Sequence, residues 1–248
     1  MQFNNRSFLL NIAPVTRHLL IINIIVWLAT FVFQSVGIVD LNRWLGLYFW
    51  KGSYFNVFQF FTSMFMHADF FHLFVNMFML WMFGSLVERV MGSKRYLFYY
   101  ISCGLAAGLA QELVWQLSWE SLLLNGVSGP AGATVTDIIN AINSGNAAFT
   151  MNDFYNGLVV IGASGAVFGI LLAIGMLFPN MPMYVIPFPF PIKAKWLVLV
   201  YGLFELFFGV TGRMDHVAHF AHLGGMIAGI FIILYWKQNG TLNRNGYY

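Results

Sequence analysis

"LVVIGASGAVFGILLAIGMLF", residues 158–178, decides how this chain is read. The run is apolar enough to cross a bilayer, yet it carries a hydroxyl, Ser164, framed by Gly162, Gly165 and Gly169. A hydroxyl in hydrocarbon has lost its water and must find partners inside the protein or in a water-filled cavity. Taken alone, a serine among glycines on such a helix reads as packing, because small residues let backbones approach. Its neighbours elsewhere in the chain decide whether it is more than that.

The solvent comes first. Of the 248 residues, 59% are hydrophobic, 19% aromatic and 8% charged, whereas a soluble domain is about one quarter charged. The chain belongs in a lipid bilayer. An open sheet is excluded there because its edge groups would go unpaired, so the expected fold is an all-α polytopic membrane protein, read as a single domain over residues 1–248. A formal charge of +3 gives no reason to expect a nucleic-acid partner. The single cysteine, Cys103, lies in an apolar run and has no partner for an intrachain disulfide. The first apolar run follows Arg17, is as long as a full span and lacks a small-residue cleavage site, so it reads as a retained helix.

With glycine, proline and charge as punctuation, the apolar windows place six helices near 16–36, 71–91, 95–117, 158–178, 194–211 and 217–236. Arg6, Arg17, Arg89, Lys94, Arg95, Lys193, Lys195, Lys237 and Arg244 then share one side. Arg43, Lys51 and Arg213 fall on the other, with Asp40, Glu120, Asp137, Asp153 and Asp215. The basic side is expected in the cytoplasm, with both termini, and the membrane is expected to be a prokaryotic cell (inner) membrane.

Two connections are longer than turns. Residues 37–70 are dense in Trp, Tyr and Phe and predict a half-immersed outer segment. Residues 118–157 are small, polar and glycine-rich, which predicts a solvated outer insertion with at most one short helix around Asp137–Asn143. On the inner side, "FPNMPMYVIPFPFPIKAK" (178–195) predicts an extended proline-rich turn.

Polar residues inside the apolar helices form three groups. In "HADFFHLFVNM" (67–77), His72 and Asn76 are four apart and share a helix face, where the pair alone is well read as hydrogen-bonding glue between helices. His67 lies in the flanking segment and reads as interfacial. The second group is Ser164, expected about a turn and a half inside its helix, with Gly165 and Gly169 in GxxxG spacing. The third is "DHVAHFAHLGGMIAG" (215–229), with His216, His219 and His222 at steps of three and a second GxxxG at Gly225 and Gly229. Steps of three drift around a helix by about 120° over two intervals, so these histidines do not all converge on one ion without help from elsewhere. No HExxH is present, so the zinc-protease arrangement is not found here. His216 reads as a loop residue and His219 as lining the mouth of a cavity.

The joint placement favours chemistry over packing. The second, fourth and sixth helices start on the same side, so Ser164, His222, His72 and Asn76 lie at similar depth. The two GxxxG faces would draw the fourth and sixth helices together until Ser164 and His222 are within hydrogen-bonding reach. That set comprises a nucleophile, a base and two donors.

In these residues the chain resembles the rhomboid family of intramembrane serine proteases, along nearly all of its expected spans. The family's GxSG stands here as Gly162, Ala163, Ser164 and Gly165; its AHxxGxxxG as Ala221, His222, Gly225 and Gly229; its HxxxN as His72 and Asn76. A "G…E…G" at the inner end of the second helix stands as Gly84, Glu88 and Gly92. The resemblance implies a six-transmembrane-helix rhomboid-like bundle that cleaves transmembrane segments of other membrane proteins. Ser164 would be the nucleophile and His222 the general base, a dyad without a third carboxylate. His72, Asn76 and the Ser164 N–H would hold the oxyanion, with Gly162, Gly165, Phe168, His219 and Gly225 in support. It also implies small residues beside the cut and a substrate helix that unwinds easily, and it implies neither a metal nor any other cofactor.

Phe168 stands where relatives often carry a tyrosine under the catalytic imidazole, and the order Arg43–Trp44 is the reverse of some relatives. The 118–157 insertion exceeds what the family core needs; it reads by default as a solvated loop without function, and alternatively as a segment that covers or shapes the substrate entrance. Two other functions compete. One is an inactive rhomboid-like protein that binds membrane-protein clients; such relatives lack the nucleophile or base that this chain has. The other is a transporter using the histidines, against which the chain shows no intramembrane carboxylate pair, Glu205 being a solitary acid expected to be hydrogen-bonded within the bundle.

Overall fold

The computed structural model describes residues 12–126, 133–184, 190–212 and 218–242. His216, Asp215, Arg213, Arg6 and Arg244, along with parts of the polar insertion and the proline-rich turn, lie outside them. The protein is an all-α polytopic membrane protein. Helices α1 (Pro14–Val36), α4 (Phe70–Met91), α5 (Ser93–Gly126), α9 (Ala194–Thr211) and α10 (His219–Gln238) are long and apolar enough to span, and α8 (Ser164–Leu177) is a shorter sixth. Short helices α2 (Leu41–Leu45), α3 (Gln59–Thr62), α6 (Val135–Asn143) and α7 (Met151–Gly157) lie in the connections.

α8 is the hub. Every one of its residues except Ser164, Phe168 and Met176 is buried, as expected of a helix apolar all round. It packs against α5, α9 and α10. Its length corrects the expectation of a span over 158–178: the helix has 14 residues, about 21 Å at 1.5 Å per residue. Encased in protein, it does not need the full bilayer thickness. The preceding stretch is strand β2 (Val159–Val160), paired antiparallel with β1 (Leu47–Tyr48) in the register Leu47↔Val160 and Tyr48↔Val159.

Local capping sets the helix ends. α1 has proline in its first turn and stops at Gly37, whose φ of 70° suits a residue without Cβ. Asp69 caps α4 by accepting from the His72 N–H at 2.8 Å. Midway, α4 passes through a π-helical turn at Leu80–Gly84. At its far end the Glu88 carboxylate accepts from Val15 N–H (3.0 Å), Thr16 N–H (2.8 Å), Thr16 Oγ1 (2.9 Å) and Ser93 Oγ (2.7 Å). One buried acid thus ties the starts of α1 and α5 to the end of α4. Gly84 admits Thr16 and the Tyr96 hydroxyl there, and Gly92 turns the chain at φ 79°. Lys237 donates to the Met176 carbonyl at 3.0 Å, capping the far end of α8.

The connections differ from expectation in detail. α5 runs to Gly126 rather than ending near 117, and its extension makes a post for the insertion: Trp119 meets Tyr155 of α7 edge-on at 5.9 Å, and Lys51 lies 4.7 Å from the Trp119 ring. The insertion holds two helices among the described residues, not one. Each opens with a capping box, Thr134 with Asp137 and Thr150 with Asp153. α7 docks on the 37–70 segment through Asn152 and Asn156, which donate to Ser53 Oγ at 3.0 and 3.2 Å. That segment is itself pinned to α5, where Glu112 accepts from the Trp50 N–H at 3.0 Å and Gln116 from the Trp50 indole at 3.0 Å.

Candidate active site

The chain enters the site along β2. Gly162 follows, its N–H donating to the Ser63 carbonyl at 2.9 Å and its φ at 139°, a region that favours glycine. A Cβ there would lie 2.9 Å from His72 Nε2 and 3.4 Å from Ser164 Oγ. The glycine is therefore required twice, by the turn and by the crowding of two polar side chains against it.

Ser164 is the first residue of α8, not a turn and a half inside a helix. Gly162 breaks the expected helix before it can pass the serine. The consequence is chemical: the opening amides of α8 have no carbonyl a turn behind them, and the positive end of the helix dipole lies at the serine.

His222 comes from the first turn of α10, and its Nε2 lies 2.9 Å from Ser164 Oγ. Phe168, one turn along α8 from the serine, lies under the imidazole with ring centroids 4.1 Å apart and planes 7° from parallel. The glycines explain the approach, though not as two matching notches. A Cβ on Gly225 would strike the Gly165 carbonyl directly. Gly165 and Gly169 instead open mainly toward Ala107 and Cys103 of α5, Gly229 toward Tyr99, and Gly224 toward Ala106 and Ala110. Three helices share the small-residue seam, and the Tyr99 hydroxyl donates to the Gly169 carbonyl at 2.7 Å within it.

His72 is half-buried on α4. Its Nδ1 receives a long contact from the Ala68 N–H, 3.4 Å, which leaves the ring proton for Nε2, the nitrogen facing Gly162. Asn76 is buried on the same face, and its amide donates to the His72 carbonyl at 3.0 Å. One of its two amide protons is thus spent on its own helix. His67, in the segment that leads into α4, is 2% exposed and meets the His72 ring edge-on at 5.1 Å. Burial holds its imidazole well below the ordinary histidine range.

His219 does not line a cavity mouth. It is buried, packed on Phe208 with ring centroids 5.8 Å apart, and its Nδ1 lies 2.7 Å from Glu205 Oε2. The same carboxylate oxygen lies 3.0 Å from Nδ1 of His222. In the sequence Glu205 stands as a solitary acid expected to be hydrogen-bonded within the bundle, and its hydrogen-bond partner is His219. The signal available was Glu205 with Phe208 and Gly209, which share the face of α9 turned to the start of α10, where Gly209 lies against Phe220 and His219. Among the described residues no group of three or more His, Cys, Asp or Glu could hold a metal ion.

A cavity of about 20 Å³ adjoins the serine, lined by Ser63, Ala107, Gly162, Ser164, Gly165 and Ala221 among others. That is room for one water beside polar groups.

The rhomboid domain family model matches residues 54–239. The chain is similar to the mitochondrial Rhomboid protein 1 of Saccharomyces cerevisiae, 26% identical over 68% of this chain and 38% of the relative. It is also similar to the chloroplastic Rhomboid-like protein 11 of Arabidopsis thaliana, 27% identical over 87% of this chain and 62% of that one. A third relative is the human mitochondrial Presenilin-associated rhomboid-like protein, 23% identical over 73% of this chain and 39% of the relative. The chain thus spans less than two thirds of the length of these relatives.

Proposed function

The protein belongs to the rhomboid family, and on that premise we propose that it is an intramembrane serine endopeptidase acting on transmembrane segments of other membrane proteins. The observation that carries this reading is the 2.9 Å approach of His222 Nε2 to Ser164 Oγ, with Phe168 stacked under the imidazole. Ser164 Oγ attacks the scissile carbonyl carbon while His222 takes its proton; the tetrahedral intermediate collapses, and the proton passes to the leaving amine. Water, activated by the same histidine, then hydrolyses the acyl-enzyme.

The oxyanion needs donors aimed at one point. The Ser164 N–H at the start of α8, Nε2–H of His72 and the remaining amide proton of Asn76 are the candidates. Loss of one such donor costs about 10² to 10³ in rate. Gly162, Gly165 and Gly225 act by geometry, holding the strand, the serine and the base at contact. The substrates in this reading are single-span proteins whose helix unwinds easily and carries small residues beside the cut.

Sidedness follows from charge. Lys195 and Lys237 lie at the end of the bundle opposite Ser164, and Arg17, Lys94 and Arg95 belong to the helix starts gathered by Glu88. That supports a cytoplasmic basic end and a site near the other leaflet. The prokaryotic inner membrane is part of the proposal, set beside relatives named mitochondrial and chloroplastic; labelling of introduced cysteines from each side of the bilayer tests the sidedness.

The test of function is reconstitution into liposomes with a single-span substrate. Cleavage is expected in the wild type, insensitive to chelators, lost in Ser164→Ala and His222→Ala, and weakened in Asn76→Ala. Persistence of cutting in Ser164→Ala would reject the mechanism, and wild-type protein that binds the substrate uncut would favour a client-binding relative.

A further inference from the structure

Glu205 sets a carboxylate on the apolar helix α9. A charge at this depth is costly unless it is paired, and it has come to rest between two imidazoles. The side chains of His219, His222 and Glu205 are 8%, 9% and 12% exposed. Oε2 lies 2.7 Å from Nδ1 of His219 and 3.0 Å from Nδ1 of His222. The contact with His219 is a formed hydrogen bond. The contact with His222 is short but off the line of the ring N–H, and Nδ1 has no other partner among the described residues. A carboxylate oxygen accepts two hydrogen bonds, and site hydrogen bonds without substrate are often poorly aligned until the complex forms.

We propose that Glu205 is a positioning residue of the Ser164–His222 site: it selects the Nδ1–H tautomer of His222 and steadies the imidazolium formed during the reaction, while His219 holds its carboxylate in place. The inference rests on the reading of Ser164 and His222 as nucleophile and base. A base that takes a proton on Nε2 must carry its own proton on Nδ1, and the nearest acceptor to Nδ1 is Glu205. When the Ser164 proton moves to Nε2 the ring becomes cationic, and the carboxylate 3.0 Å away offsets that charge without itself taking the proton. The third member thus comes from α9, a helix that contributes neither nucleophile nor base.

A purely structural strut between α9 and α10 would use the His219 contact alone, and the two roles separate experimentally. In wild-type protein labelled with ¹⁵N-histidine in liposomes, the signal lost in His222→Ala should show Nδ1 protonated and Nε2 bare. In Glu205→Gln, kcat on the single-span substrate should fall by about 10²-fold, short of the roughly 10⁴-fold seen where a triad carboxylate is fully in line. KM should stay within about twofold, Ser164 phosphonylation by a fluorophosphonate should slow in parallel, and Glu205→Asp should recover part of the rate. An Nε2–H tautomer in the wild type overturns the proposal whether or not any variant folds. Unchanged kcat in Glu205→Gln overturns it too, while an inactive Ser164→Ala alongside leaves the protease reading standing. Cleavage surviving in Ser164→Ala removes both.

Discussion

Gly225 of α10 lies against the backbone carbonyl of Gly165 in α8, so that even a single methyl group on Gly225 would fall on main-chain atoms. This contact sets the distance between the helix that carries the serine and the helix that carries the histidine. Backbone cannot swing aside as a long side chain can, so the site's geometry is held by an absence of side chain.

Gly225→Ala is therefore expected to lower stability by about 1 to 3 kcal/mol through overpacking and to reduce cleavage more steeply than stability. Gly202→Ala on α9 is the control: its Cβ would meet only the flexible end of Met226, at 3.4 Å, and helix propensity favours alanine by about 1 kcal/mol. Thermal unfolding in detergent and cleavage in liposomes, measured on both, check the contrast. Equal losses in the two variants would show that the Gly165 contact has no special role.

Phe168 supplies a flat surface for the His222 ring. Phe168→Leu should leave the fold intact but let the imidazole tilt, lowering kcat by about 10- to 10²-fold, as misplacements of order 1 Å do. Phe168→Tyr keeps the ring and should stay near wild-type activity. A fully active Phe168→Leu would reduce the stack to ordinary packing.

Glu88 is a structural acid far from the serine. Glu88→Ala strands the Val15 and Thr16 amides and two hydroxyls, and unpaired buried groups cost about 1 to 3 kcal/mol each. The melting temperature should drop sharply, with Glu88→Gln intermediate because it retains one carbonyl acceptor. Activity per folded molecule should be unchanged in Glu88→Gln. A melting temperature equal to wild type in Glu88→Ala would contradict the bonding described.

The insertion has its own acid-sensitive cap. The Thr150 hydroxyl and N–H donate to Asp153 at 2.7 and 2.9 Å and hold its carboxyl below the usual range. A carboxyl whose value is lower folded than unfolded stabilises above the unfolded value, and loses that contribution as pH falls through the folded one. Amide exchange at Phe154, whose N–H donates to the Thr150 carbonyl at 3.1 Å, should thus lose protection on the acid side of the carboxylate range. In Asp153→Asn that dependence should flatten. A wild-type profile unaffected by the substitution would rule out the cap as its source.

Much of this was legible in the residues. Composition specified the solvent, and hydropathy placed five spans because a spanning helix must be apolar over its whole length. His72, Ser164 and His222 came together as their chain positions implied, because the helix starts that carry them share an end of the bundle. The extent of α8 was not legible, since an apolar strand and an apolar helix look alike in hydropathy and only Gly162 marks the change. Nor was α5's part in the glycine seam, because a notch records that something fits but not which helix fills it. Glu205 stands solitary in the sequence because its partners lie fourteen and seventeen positions away on another helix, and nothing periodic links them. α7 was missed although its Thr150–Asp153 spacing is a capping signature, because the surrounding polarity outweighed it.

In the proposed mechanism Ser164 is the nucleophile and His222 its base. The most direct measurement is mass spectrometry of protein treated with a fluorophosphonate in the same liposomes that cleave substrate. The predicted result is a single adduct on Ser164, formed in step with loss of cleavage and absent in His222→Ala. Active protein whose cleavage is blocked while Ser164 stays unmodified, or an adduct that forms equally well without His222, would contradict it.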